Sequence, residues 1–119
     1  YCRRAHGAAF TTVSLLSRSD FQWLNGEQQV TWFETPQGAE RLFCSLRGTR
    51  ICNHPPIHGA LALIVATLDS DDAVIPVAHV NIENRAAWYQ GHDDVREFNG
   101  VPSFDELQKL ALRTATTAV

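Results

Sequence analysis

The chemistry this chain could perform rests on three cysteines and a few histidines, and one turn frames the question. Residues Phe43-Cys44-Ser45-Leu46-Arg47-Gly48-Thr49 read F-C-x-x-R-G-T. With cysteine in place of the arginine, the same turn would be a metal knuckle, bringing two thiolates onto one zinc ion. Arg47 stands there instead, and a guanidinium cannot ligate a metal. Gly48 supplies the backbone freedom that a knuckle turn needs. Cys44 alone cannot build a tetrahedral site, so the turn also reads as structural, with a buried thiol. The second candidate is Cys2-Arg3-Arg4. Two guanidinium groups and a nearby helix start favour a thiolate, which suits a metal ligand or a reactive thiol; the plainer reading is a cysteine at a chain end.

Three further groups are weaker. His54-Pro55-Pro56-Ile57-His58 holds two histidines four apart, a zinc spacing on a helix, but the double proline removes the helix and leaves a solvated loop. Asp69-Ser70-Asp71-Asp72 could face a hard cation, but it lacks the glycine bend and the closing glutamate of a calcium loop and reads as a polar turn. His79 lies inside a strand pattern, either as a satisfied core histidine or as a cleft residue touching substrate. No glycine-rich phosphate loop or nucleophile elbow is present.

The elements that must position these groups are short. A helical turn is expected from Arg3 to Gly7, and a Thr/Val/Leu-rich strand over Phe10 to Leu16. Phe21 to Leu24, Asn25-Gly26 and Val30 to Phe33 carry a hairpin signal, with Glu27-Gln28-Gln29 as either loop or strand; Trp23 and Trp32 are a candidate cross-strand pair, and the plainer reading of both is core filling. Pro36-Gln37-Gly38 marks a turn, and Glu40 to Phe43 a strand leading into Cys44. Asn53 to Pro56 is expected as a loop. Leu61 to Leu68 is almost continuously apolar, as for a strand buried on both faces. Val77 to Ile82 is another strand. Ser103 with Glu106 forms a capping box, and Phe104, Leu107 and Leu110 form a stripe, predicting a C-terminal helix over 103–113 with a frayed tail from Thr114. Many short strands and one terminal helix predict a mainly β, largely antiparallel fold.

The chain has 119 residues, enough for a single domain, 1–119, with its own core. It is 45% hydrophobic and 19% charged, a globular balance, and its net charge of −3 argues against a nucleic-acid or anionic-membrane partner. No apolar run approaches the roughly 20 residues that span a bilayer. Three cysteines give no paired framework, which suits free or metal-binding thiols in a reducing cytoplasm. There is no Met, and the chain begins Tyr1-Cys2, so a processed or truncated chain is expected.

Taken in order, the motifs resemble the glutathione-dependent formaldehyde-activating family, also called the centromere-protein-V-like domain. Tyr1 to Phe10 is similar to the end of its C-x-C-x-x-C-R-x-x-x-G-x-x-F segment. Asn25-Gly26 resembles its hairpin, and Arg41 to Thr49 its R-x-F-C-x-x-C-G-T segment. Thr67-Leu68-Asp69 resembles its T-L-D turn, Pro76 to Val80 its P-x-x-H-I piece, and Arg85 to Trp88 its R-x-x-W piece. The resemblance implies a zinc-bearing β-tent fold of small antiparallel sheets, here without the family's first strand. It implies carbon–sulfur lyase chemistry, in which a small thiol such as glutathione adds reversibly to formaldehyde to give S-hydroxymethylglutathione. Zinc would polarise the sulfur or the carbonyl. Cys2 would be a catalytic zinc ligand, Cys44 a structural one, and Arg3, Arg4 and His79 would contact substrate. Neither zinc site is complete: each keeps one ligand, and Arg47 replaces another. Cys52, eight residues beyond Cys44, is a substitute ligand to consider. Arg47 could hydrogen-bond the carbonyls of the turn or pair with a carboxylate. The alternative is a zinc-less member that keeps the fold as a small-molecule or protein-binding module, its lost metal energy offset by the core, the terminal helix or a homodimer.

Overall fold

The computed structural model describes residues 2–57, 59–70 and 74–117. They fall into two compact units, Thr11–Ala73 and the pair of segments Tyr1–Phe10 and Val74–Val119. The first unit is built on five strands: β1 (Val13–Ser17), β2 (Val30–Glu34), β3 (Glu40–Cys44), β4 (Arg50–His54) and β5 (Ala60–Ile64). They form one antiparallel sheet in the order β1-β5-β4-β3-β2. The continuous apolar run predicted a strand buried on both faces, and β5 fits: it lies between β1 and β4 and only Leu63 is more than marginally exposed. The strand stops at Ile64, because Val65–Thr67 forms a 3-10 turn closed by Thr67 Oγ1 donating to the Ile64 carbonyl at 2.7 Å.

The core of this unit is Leu42, Cys52 and Leu61, packed against by Leu16, Phe21, Trp23, Val30, Ile51 and Leu63. Each belongs to a strand face or to the segment before β2. Removing a leucine of this size from water contributes about 2 kcal/mol. The turn between β2 and β3 is set by Thr35, buried at 7% exposure. Its hydroxyl accepts from the Ala39 N–H at 3.1 Å, and its carbonyl accepts from Gly38 N–H at 2.8 Å. Gly38 takes a φ of 81°, which the turn expected over residues 36–38 requires.

Several sequence expectations are corrected. The hairpin at Asn25-Gly26 does not form. Gly26 adopts a φ of 80° and opens a 3-10 turn, Glu27–Gln29, so three polar residues separate it from β2. The partner of β2 is β3, where Trp32 lies opposite Leu42. Trp23 packs edge-on against Phe21, with ring centroids 4.8 Å apart, and against the core, but does not pair with Trp32, which is 59% exposed and fills no core. Asn53 and His54 are not loop but the end of β4; the prolines that follow terminate the strand instead of preventing it. The first strand starts at Val13, later than Phe10. His58, Asp71 and Asp72 lie outside the described residues.

In the second unit, α1 (Cys2–His6) ends at Gly7, whose φ is 61°. The strand expected over Val77 to Ile82 shrinks to two residues, β6 (Ala78–His79), paired in parallel with β7 (Arg96–Glu97). Asn81, at a φ of 54°, turns the chain out of the strand into the 3-10 turn Ile82–Asn84. Helix α2 (Phe104–Thr117) begins where the capping box places it: Ser103 Oγ accepts from Glu106 N–H at 3.2 Å. Phe104, Leu107, Leu110 and Thr114 are its less exposed side chains among the described residues, the first three as the stripe predicts. The helix runs past Arg113 to Thr117, beyond the expected fraying point, with Thr114 Oγ1 donating to the Leu110 carbonyl. Small sheets with one C-terminal helix make the chain mainly β.

Candidate functional site

The Cys44 turn is closed by the main chain. Gly48 N–H donates to the Cys44 carbonyl at 2.7 Å, and Cys44 N–H to the Thr49 carbonyl at 2.9 Å. Ser45 N–H donates to the Gln29 carbonyl at 2.8 Å, tying the turn to the segment before β2. Gly48 has a φ of 68°, as a knuckle-shaped turn needs. The turn therefore keeps its shape with no contribution from the side chain at 47. Arg47 is exposed and has no hydrogen-bond or ion-pair partner among the described residues, so the carbonyl-capping role expected for it is not present.

Cys44 is half-buried. Cys52 is opposite Leu42 across β3 and β4 and has no exposure at all. Burial pushes its thiol up, and the Arg18 and Arg50 guanidinium groups offset this only in part. A protonated thiol among leucines is a packing group, not a ligand. Among the described residues, no three His, Cys, Asp or Glu side chains are grouped so that they could hold a metal ion. The donors described do not fit a zinc centre.

Cys2, Arg3 and Arg4 sit together on α1, all exposed, and Arg3's carbonyl accepts from Ala8 N–H at 3.3 Å. His79 is in the same unit but has a partner of its own. Its Nε2 lies 2.8 and 3.0 Å from the two carboxylate oxygens of Asp93. Asp93 Oδ1 also accepts from Val95 N–H at 3.1 Å. The His79 hydrogen bond, followed by that of Val95, holds the Asp93 carboxyl below its ordinary range; the charges of His79 and Arg85 act in the same direction. Beside them, Arg85 pairs with Glu97, and the Arg96 guanidinium lies 4.9 Å over the Phe98 ring. His79 is thus an oriented, partly exposed imidazole and not a core histidine. Asp93 was not legible in the sequence: it stands in a run of polar residues, fourteen positions from the histidine it holds. Cys44 belongs to the other unit.

The model of the family described as glutathione-dependent formaldehyde-activating enzyme matches residues 1–84. The chain belongs to this family. Its function is therefore of the glutathione-dependent formaldehyde-activating kind at the level of the family. No curated protein matches the chain. The matched segment of this family member covers α1, the whole five-stranded unit and β6, and ends at the 3-10 turn after His79. Asp93, Glu97 and α2 lie beyond it. No helix among the described residues is long and apolar enough to cross a membrane.

Proposed function

We propose that this family member acts as a carbon–sulfur lyase on a small thiol adduct such as S-hydroxymethylglutathione, in the reducing cytoplasm where its three thiols stay free. The match of the family model over residues 1–84 carries this reading. In the addition direction, the thiol sulfur bonds to the aldehyde carbon and the thiol proton passes to the carbonyl oxygen. In the lyase direction, the same carbon–sulfur bond breaks. Arg3 and Arg4, exposed on α1, attract the carboxylates of the peptide thiol. In this reading His79, whose Nε2 is held by Asp93, contacts substrate with the rest of its ring. Cys2 stands where the resemblance places a catalytic zinc ligand of the family.

The test is exchange spectroscopy on glutathione and formaldehyde at equilibrium, with zinc-replete protein, read against the spontaneous rate. Acceleration that falls at least about tenfold in H79A, and a higher glutathione KM in R3A/R4A, supports the reading. A second reading is favoured by one observation, the lack of any three-donor group among the described residues together with Arg47 in the knuckle. It is a zinc-less binding module, alone or as a homodimer. No acceleration by folded, zinc-replete protein selects it.

A further inference from the structure

Strand β2 is one edge of the five-stranded sheet, and it lacks the usual guards of an edge. It holds no proline and no lysine, and its register against β3 runs without a bulge. Two hydrogen bonds fix which way its main chain faces. Ser45 N–H donates to the Gln29 carbonyl and Thr35 N–H to the Ala39 carbonyl, both at 2.8 Å. Antiparallel ladders alternate, so the odd residues of β2 bond to β3 and the even ones face outward. Val30, Trp32 and Glu34 therefore turn their main-chain groups to the open edge. Val30 N–H is already held by the Glu27 carbonyl. That leaves the Val30 carbonyl and both groups of Trp32 and Glu34.

The side chains on this edge are as open as its main chain. Trp32 ends a row that runs through Leu42 and Cys52 to Leu63. Exposure along the row rises from 0% at Cys52 and 8% at Leu42 to 59% at Trp32. The buried face of the sheet thus runs out at a half-covered indole. On the opposite face Phe33 is 57% exposed. Two charges flank the strand. Glu34 ends it, and Arg47 stands in the turn tied to its start through Gln29. Both are exposed, and neither has an ion-pair partner among the described residues.

This edge is complementary to itself. We infer that β2 is a dimer surface whose occupant is β2 of a second copy, antiparallel and centred on Trp32. A two-fold axis there sets Trp32 against the partner's Trp32, and the two exchange both main-chain bonds. At either end Glu34 N–H meets the partner's Val30 carbonyl, and Phe33 lies beside the partner's Thr31. The same register brings the Glu34 carboxylate toward the partner's Arg47. The partner's Cys44, where that turn begins, is two strand spacings from Glu34, about 10 Å, which an extended arginine and glutamate span together. Symmetry makes this ion pair twice and keeps the two Glu34 carboxylates apart. A strand of unrelated sequence would fill the main-chain bonds equally well, but it would not bring a cation to Glu34 and an anion to Arg47 at once. The surface is small, with roughly 250 Å² of exposed ring per copy, which suits a reversible dimer with a Kd on the order of 10–100 µM. The inference concerns association alone and holds with or without turnover of a thiol adduct.

The experiment is sedimentation equilibrium of the full chain from about 5 µM to about 1 mM, with hydrogen exchange at both ends of the range. The expected result is a monomer–dimer equilibrium. E34R and R47E each set like charges across the axis and should raise Kd about tenfold, while E34R/R47E should return it to within about threefold of wild type. W32P removes an outward N–H, so circular dichroism should be unchanged and the dimer lost. The Trp32 and Glu34 amides should exchange fast in dilute protein and slowly in concentrated protein, and those of Thr31 and Phe33 slowly in both. A monomer throughout the range, a dimer that survives W32P, or a double swap as weak as the single ones would overturn the inference. So would a Trp32 amide protected at every concentration, which would mean that the edge is covered within one chain. Should W32P not fold, the charge swaps decide alone.

Discussion

At the residue scale, the three cysteines differ by burial more than by sequence context. Cys2 is exposed, Cys44 half-buried and Cys52 fully enclosed. A thiol reagent should therefore label Cys2 first, Cys44 more slowly, and Cys52 only on unfolding; fast labelling of Cys52 in folded protein would contradict its place in the core. The arginine of the knuckle is legible as a broken motif, but its consequence is not. The sequence suggests a side chain recruited to cap carbonyls, whereas main-chain bonds already satisfy Cys44 and Thr49. R47A should change the unfolding free energy by no more than about 0.5 kcal/mol. G48A, by contrast, forces a Cβ into a φ of 68° and should cost about 1 kcal/mol. The His79–Asp93 pair adds a pH dependence. Since the folded Asp93 carboxyl sits below its ordinary range, its contribution is present above about pH 4 and disappears as acid protonates the folded form. The Tm difference between wild type and D93N should shrink on acidification below that point; a difference constant down to pH 2 would exclude the linkage.

At the scale of elements, the strongest local signals were those with a complete physical cause nearby. The capping box and stripe placed the start of α2, because the cap, the first turn and the apolar face all lie within a few residues. The run from Leu61 identified β5 because a strand flanked on both sides needs no alternation. Asn25-Gly26 misled because a turn residue states what φ it tolerates, not which strands it joins; the partner of β2 was decided by β3, ten residues later. His54 misled in the opposite way, since proline acts on its own position and those next to it while β4 ends just before it. The β6–β7 pairing had no signal, as two-residue strands have no period to read. L61A should destabilise the first unit by about 2–5 kcal/mol in chemical denaturation, for that side chain is 1% exposed among the core residues.

At the scale of the whole molecule, the two units carry different parts of the functional argument. The five-stranded unit holds the Cys44 turn and the open edge of β2; the other holds α1, His79 and Asp93. The family match spans all of the first but stops within the second, so the acid that orients His79 is a property of this chain beyond the matched segment. Hydrogen exchange should find the slowest amides in β4 and β5, and faster ones in the two-residue strands of the other unit. The family and the mainly β class were legible in motif order and strand count; the site was legible only as separate residues, because what joins them is long-range pairing. The closure of the Cys44 turn has a consequence in descent as well as in stability. A loop that holds its shape through its own backbone does not depend on the side chain that once could have served it. Position 47 is then open to exchange: the fold sets no condition on which side chain stands there, so its chemistry can change while the turn stays as it is.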